Sequence, residues 1–149
     1  MGAAYKPRVF LSSSINGLED LRSSLIEFLK NEKHYTPLYF GDKFSSNLTG
    51  KPGIVEQCLK GVRSADAFFL IIDRRYGFPN QKDEDGNLIS ITEKEFLEAR
   101  KHKNIHIYVY CRNEVWIAHK IWETNPNMNF NFNELYSNPR YEIGVRPSK

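Results

Sequence analysis

Three short strand-like runs, Val9-Phe10-Leu11, Ala67 to Ile72 and His106 to Tyr110, constrain this chain more than any other feature. The second is apolar at nearly every position. Such a run offers water no polar face, so it has to be covered from both sides. The segments between the runs supply the cover. Leu18, Leu21, Leu25 and Phe28 recur at the spacing of one helical face. Asn16 stands where that helix would be capped, with Glu19 three residues on as its reciprocal partner, and the pattern ends near Asn31. Tyr35 to Phe40 reads as a second strand. Ile54, Val55, Cys58, Leu59 and Val62 mark a helix after Pro52. Ser90 and Glu93 repeat the capping pattern and open a helix that carries Glu95.

Strand and helix thus alternate three times before a further strand. The expected architecture is α/β: a three-layer, flavodoxin-like parallel sheet of four to five strands with helices on both faces. In 149 residues this is one domain. Its core covers about 7–112, followed by a helix near Val115 to Trp122 and an asparagine-rich extension to 149. Ser12 to Ser14 read as a polar loop after strand one, Gly41 to Lys51 as a second loop, and Asp73 to Ile89 as a long one. Long loops in compact domains are often functional.

Composition excludes several classes. No apolar run approaches the ~20 residues of a membrane span. The opening residues lack the apolar core of a signal peptide. Cys58 and Cys111 are too few for a disulfide framework. The expected compartment is therefore cytoplasmic. The net charge of +3 comes from basic residues scattered among acidic ones, not from the stripe that nucleic-acid binders show. Thr49-Gly50-Lys51 lacks the first glycine of a phosphate loop, because Ser45 stands there. His102 and His106 lie on different elements, and His34 and His119 have no companions, so no metal is expected. Cys58 reads as core packing.

The chemistry-bearing pattern is Ser90-Ile91-Thr92-Glu93-Lys94-Glu95-Phe96-Leu97-Glu98-Ala99. Thr92, Glu95 and Ala99 stack along one side of a helix. Glu95 borders the stripe that faces the sheet edge, whereas Glu93, Lys94, Glu98 and Lys101 are expected to face water. The carboxyl edge of a parallel sheet is where α/β proteins hold ligands. A carboxylate there can stabilise or attack an oxocarbenium-like centre. Ser12, Ser13 and Ser14 reach the same edge and suit a phosphate or ribose. Arg74 and Arg75 suit a phosphate, or else tie down the loop through Asp83, Glu84 or Asp85. Tyr76 can stack on a base, and Gly77 supplies a backbone conformation that other residues avoid.

Val9-Phe10-Leu11-Ser12-Ser13-Ser14, Arg74-Arg75-Tyr76-Gly77 and Ser90-Ile91-Thr92-Glu93-Lys94-Glu95-Phe96 together resemble a family of TIR-like domains. Arg112-Asn113-Glu114-Val115-Trp116 resembles that family's C-terminal portion, and the likeness spans roughly residues 7 to 143. The family is grouped with TIR domains and nucleoside 2-deoxyribosyltransferases and typically opens larger multidomain proteins. The resemblance implies that Glu95 holds the position of the catalytic glutamate of NAD-cleaving TIR domains and of the transferase nucleophile. It implies phosphate and ribose contacts from Ser12 to Ser14. The family often pairs an acidic residue with an arginine on its first helix, whereas Leu21 precedes Arg22 here.

The leading expectation is a nucleotide glycosidase that cleaves NAD at the nicotinamide–ribose bond, by hydrolysis or cyclisation, in bacterial defence or stress signalling. Glu95 would be catalytic. Ser12, Ser13, Ser14, Arg74, Arg75, Tyr76, Gly77 and Thr92 would bind substrate, with no cofactor beyond NAD as substrate. The implied partners are NAD, further copies of the chain and C-terminal domains of a longer protein, with neither nucleic acid nor membrane. Three other readings stand beside it: a nucleotide-signal binder without turnover, a protein-interaction module, and a deoxyribosyltransferase.

Overall fold

The computed structural model describes residues 4–14, 17–39, 52–74, 77, 79–125 and 127. Four parallel strands form the central sheet: β1 (Arg8–Ser13), β2 (Thr36–Leu38), β3 (Ala67–Ile72) and β6 (His106–Cys111). Their order is β2-β1-β3-β6. The helices are α1 (Glu19–Glu27), α2 (Pro52–Arg63), α3 (Ile91–Arg100) and α4 (Asn113–Thr124). The fold is the expected flavodoxin-like α/β sandwich.

Side chains alternate across the sheet, so the register assigns each residue to a face. Phe10 pairs with Phe68, and Phe68 with Ile107. On that face α2 and α3 cover the main core of Phe10, Val62, Ala65, Phe68, Leu70, Ala99 and Ile105. The rings of Phe10 and Phe68 stack with centroids 5.7 Å apart. Each fully buried ring contributes about 1.5–3 kcal/mol. Gly61 permits the close approach of α2, because a Cβ there would lie 3.0 Å from the Phe10 ring. Val9, Leu11 and Ser13 point to the opposite face, where α1 lies. Phe68 and Leu70 of β3 are buried while Phe69 and Ile71 are half-buried, so cover is complete on one face only. On β6, Tyr108, Val109 and Tyr110 are exposed.

Several expectations are corrected. β1 runs through Ser12 and Ser13, which extends the sheet into the stretch read as loop. α1 starts at Glu19 after Leu18, and no side chain caps it. Asn16 lies outside the described residues. Glu19 accepts a hydrogen bond from the Gly17 N–H at 2.9 Å, two residues back. The buried stripe of α1 is Leu18, Arg22 and Leu29, while Leu21 and Phe28 are exposed. A seven-residue step from Arg22 to Leu29 satisfies the helical period as well as the four leucine and phenylalanine positions do. The helix ends in a π-turn over Phe28–Glu32, with the Lys33 N–H donating to the Phe28 carbonyl at 3.1 Å.

The stretch read as one long loop contains an antiparallel hairpin, β4 (Gln81–Lys82) with β5 (Leu88–Ile89). Asp83 organises its turn by accepting from the N–H groups of Asp85 and Asn87 at 3.0 and 2.8 Å. Ile89 is fully buried, and the Lys94 ammonium donates to the Lys82 carbonyl at 2.9 Å, which fastens the hairpin to α3. Ser90 caps α3 as expected, its Oγ accepting from the Glu93 N–H at 3.1 Å. The stretches 41–51 and 128–149, including most of the asparagine-rich extension, lie outside the described residues. No helix among the described residues is long and apolar enough to cross a membrane.

Candidate functional site

Ser12 and Ser13 are consecutive on a strand, so their hydroxyls leave on opposite faces of the sheet. Ser12 shares its face with α2 and α3, and Ser13 shares its face with α1. Both are buried. The Arg22 guanidinium comes up from α1, almost wholly buried, and Nη1 donates to Ser13 Oγ at 2.8 Å. Ser13 Oγ in turn donates to the Ser14 carbonyl at 2.9 Å. Glu95 comes down from α3 on the other side, 7% exposed, toward Ser12. Arg22 and Glu95 thus approach the carboxyl end of β1 from opposite layers. Cys58 of α2 closes the group, near enough for the Glu95 charge to act on its thiol.

Burial dominates the electrostatics. It pushes the Glu95 carboxyl up to about 8, against the pull of Arg22 first and of Ser12 second. The Ser12 hydroxyl influences Glu95 without reaching hydrogen-bond geometry, and its Oγ is buried with no partner among the described residues. A buried hydroxyl without a partner costs roughly 1–3 kcal/mol, a cost that a ligand hydroxyl or phosphate would offset. The Cys58 thiol is pushed up to about 12, by burial and then by Glu95. It is a protonated, inert thiol, not a nucleophile.

The other expected residues are distributed unevenly. Ser14, half-buried, follows β1 at the same edge. Thr92 is half-buried on the first turn of α3, and Ala99 is fully buried four residues past Glu95. Gly77 has φ +96°, in the region that favours glycine, and a Cβ there would meet Ser90 Cβ at 3.3 Å. Arg74 pairs with Glu114 on α4 at 3.1 Å, with both side chains about half exposed. This contact ties the loop to α4, a different anchor from Asp83, Glu84 or Asp85. Arg75 and Tyr76 lie outside the described residues. Glu98 is corrected. It does not face open water, because Arg63 and His102 hold it at 3.1 and 3.3 Å.

Reading the sequence missed Arg22 as a member of this group. Its position four residues after Leu18 and seven before Leu29 was the available signal. An open cleft of about 350 Å³ runs along α1 and shares Arg22 with the buried cluster; Lys30 and Tyr39 also line it.

A model for the domain of unknown function DUF4062 matches residues 8–142. The chain belongs to the DUF4062 family. No curated protein and no solved structure matches it. The match takes in every described strand and helix of this DUF4062 chain, and both arms of the Arg22–Glu95 approach lie inside it.

Proposed function

We propose that this DUF4062 domain is a nucleotide glycosidase related to TIR domains, and that it cleaves NAD between nicotinamide and ribose. One observation carries the reading. Among the described residues, Glu95 is the one buried carboxyl, and it lies over the end of β1 beside a buried hydroxyl that has no partner there. Nicotinamide leaves as a neutral molecule from a cationic state, so bond breaking needs little acid assistance. The step needs a negative group facing the positive charge that develops at the ribosyl carbon. Glu95 is that group, and Ser12, on the same face of the sheet, holds ribose or phosphate, with Ser14 following at the same edge. Water or a second nucleophile on the same nucleotide then completes hydrolysis or cyclisation.

With its carboxyl near 8, Glu95 is mostly protonated in the unliganded chain at neutral pH. A cationic nicotinamide ring placed beside it favours the carboxylate, so binding expels a proton. Affinity for NAD is therefore expected to rise with pH up to about 8 and then level off.

The test is nicotinamide release from NAD at high protein concentration, for wild type and Glu95→Gln. Release by wild type alone supports the proposal. Equal release, or none from either at concentrations where the protein associates, overturns it. The second reading, a nucleotide-signal binder, draws on the same burial, because a carboxyl this enclosed suits ligand sensing as well as turnover. It predicts a ligand-dependent thermal shift in both proteins and no nicotinamide.

A further inference from the structure

We propose that the outer edge of β6 is a docking surface for this chain's own residues 128–132, which add there as a further parallel strand. β6 is last in the sheet order, and no strand lies beyond it among the described residues. Tyr108, Val109 and Tyr110 are exposed at 49%, 50% and 54%. Consecutive residues of a strand face opposite sides, so the middle of β6 is half-exposed on both faces. The His106 and Arg112 N–H groups donate inward, to the carbonyls of Asp66 and Ile72 at 3.0 and 2.9 Å. Backbone N–H groups alternate along a strand, so those of Ile107, Val109 and Cys111 point to the outer edge. A row of outward donors beside exposed apolar side chains is a template for one more strand.

The sequence beyond α4 carries the pattern of such a strand. Met128, Phe130 and Phe132 alternate with Asn129, Asn131 and Asn133, the period of a strand with one apolar side. The family match reaches residue 142 and so includes the segment. α4 places 12 residues after β6, enough for the crossover that a parallel return requires. Val115 packs on Ile72 and Cys111, which seats α4 against the sheet at the end of β6. Pro126 cannot continue a helix, and Met128 follows two residues later. The apolar triplet extends a row already begun on the sheet. The Phe69 ring meets Tyr108 and Tyr110 edge-on, with centroids 5.3 and 5.8 Å apart, and aromatic neighbours across strands stabilise a sheet. A second copy competes for the same edge. The chain's own segment has the advantage, because so short a tether holds it at an effective concentration on the order of millimolar.

The experiment is amide hydrogen exchange on the full chain, read residue by residue by nuclear magnetic resonance across a series of protein concentrations. In wild type the outward amide of Val109 is expected to be protected like the inward amides of Tyr108 and Tyr110, at every concentration. Phe130→Ser combined with Phe132→Ser is expected to speed Val109 exchange about a hundredfold and to leave the Tyr108 and Tyr110 amides protected. Proton contacts between the Phe130 or Phe132 rings and those of Tyr108 and Tyr110 are expected in the same wild-type sample.

Rapid Val109 exchange in wild type overturns the proposal. Protection that grows with protein concentration assigns the edge to a second copy and overturns it as well. So does protection that survives in the folded double variant, because something other than this segment then covers the edge. If the double variant does not fold, the ring contacts in wild type decide: their presence supports the docking and their absence overturns it. None of these outcomes depends on the glycosidase reading, which nicotinamide release tests separately.

Discussion

Glu95 holds its proton more tightly in the folded chain than in the unfolded one, which ties stability to pH with a definite sign. Its carboxyl moves from the ordinary 4.5 to about 8 on folding. The contribution is present in full below about 4.5 and is lost as pH rises toward about 8. At 1.36 kcal/mol per unit the upper limit of that loss is roughly 4–5 kcal/mol. Glu98 acts in the opposite direction. Arg63 and His102 hold it below the usual carboxylate range, so its contribution is lost as pH falls into the acid. Wild type is therefore expected to be most stable near pH 5 and to weaken steadily to pH 8, measured as the urea midpoint across a pH series. Glu95→Gln is expected to be nearly flat over the same window. A wild-type midpoint that does not fall between pH 5 and 8 would show that Glu95 ionises as freely in the folded chain as outside it. Glu95 was legible in the sequence from its place on a periodic stripe. Its shifted carboxyl was not, because desolvation depends on what three other elements bring around it.

Among the elements, α2 shows two local preferences in conflict. Gly61 sits inside a helix, where alanine is favoured by roughly 1 kcal/mol. A Cβ there meets the Phe10 ring at 3.0 Å, and that ring is buried and stacked on Phe68 with little room to yield. Overpacking a core costs about 1–3 kcal/mol. Gly61→Ala is thus expected to destabilise by up to about 2 kcal/mol, seen as a lower melting temperature; a rise would mean that the ring moves aside. The elements themselves were legible to different degrees. Ser90 and Glu93 revealed the start of α3, because a cap is made within four residues. α1 starts at Glu19, preceded by Leu18, which offers no side-chain cap to read from sequence. The β4–β5 hairpin escaped notice, because two-residue strands are too short to show alternation.

For the whole molecule, the proposed glycosidase reading carries a prediction about assembly. Tyr108, Val109 and Tyr110 on β6 and Trp116 and Ile117 on α4 are all exposed. If assembly completes the site, nicotinamide released per protein molecule is expected to rise with protein concentration, in step with association measured by sedimentation. Constant turnover per molecule from a monomer would remove assembly from the mechanism. The Asp73–Arg112 pair joins the ends of β3 and β6 in a bidentate contact, Arg112 Nη2 donating to Asp73 Oδ2 at 3.0 Å.

The order of strands and helices, the cap of α3 and the side of the helix on which Glu95 lies were all present in the sequence. Each is written in residues a few positions apart, where period and turn chemistry act. Only the tertiary structure decided that Arg22 is buried and bonded to Ser13, that Ser12 lies buried without a partner among the described residues, that Cys58 stands near Glu95 and that Glu98 is paired. Those relations join residues from separate elements of the sandwich. They depend on which side chains the packed sheet brings together at the end of β1, and no short stretch of sequence encodes that distance.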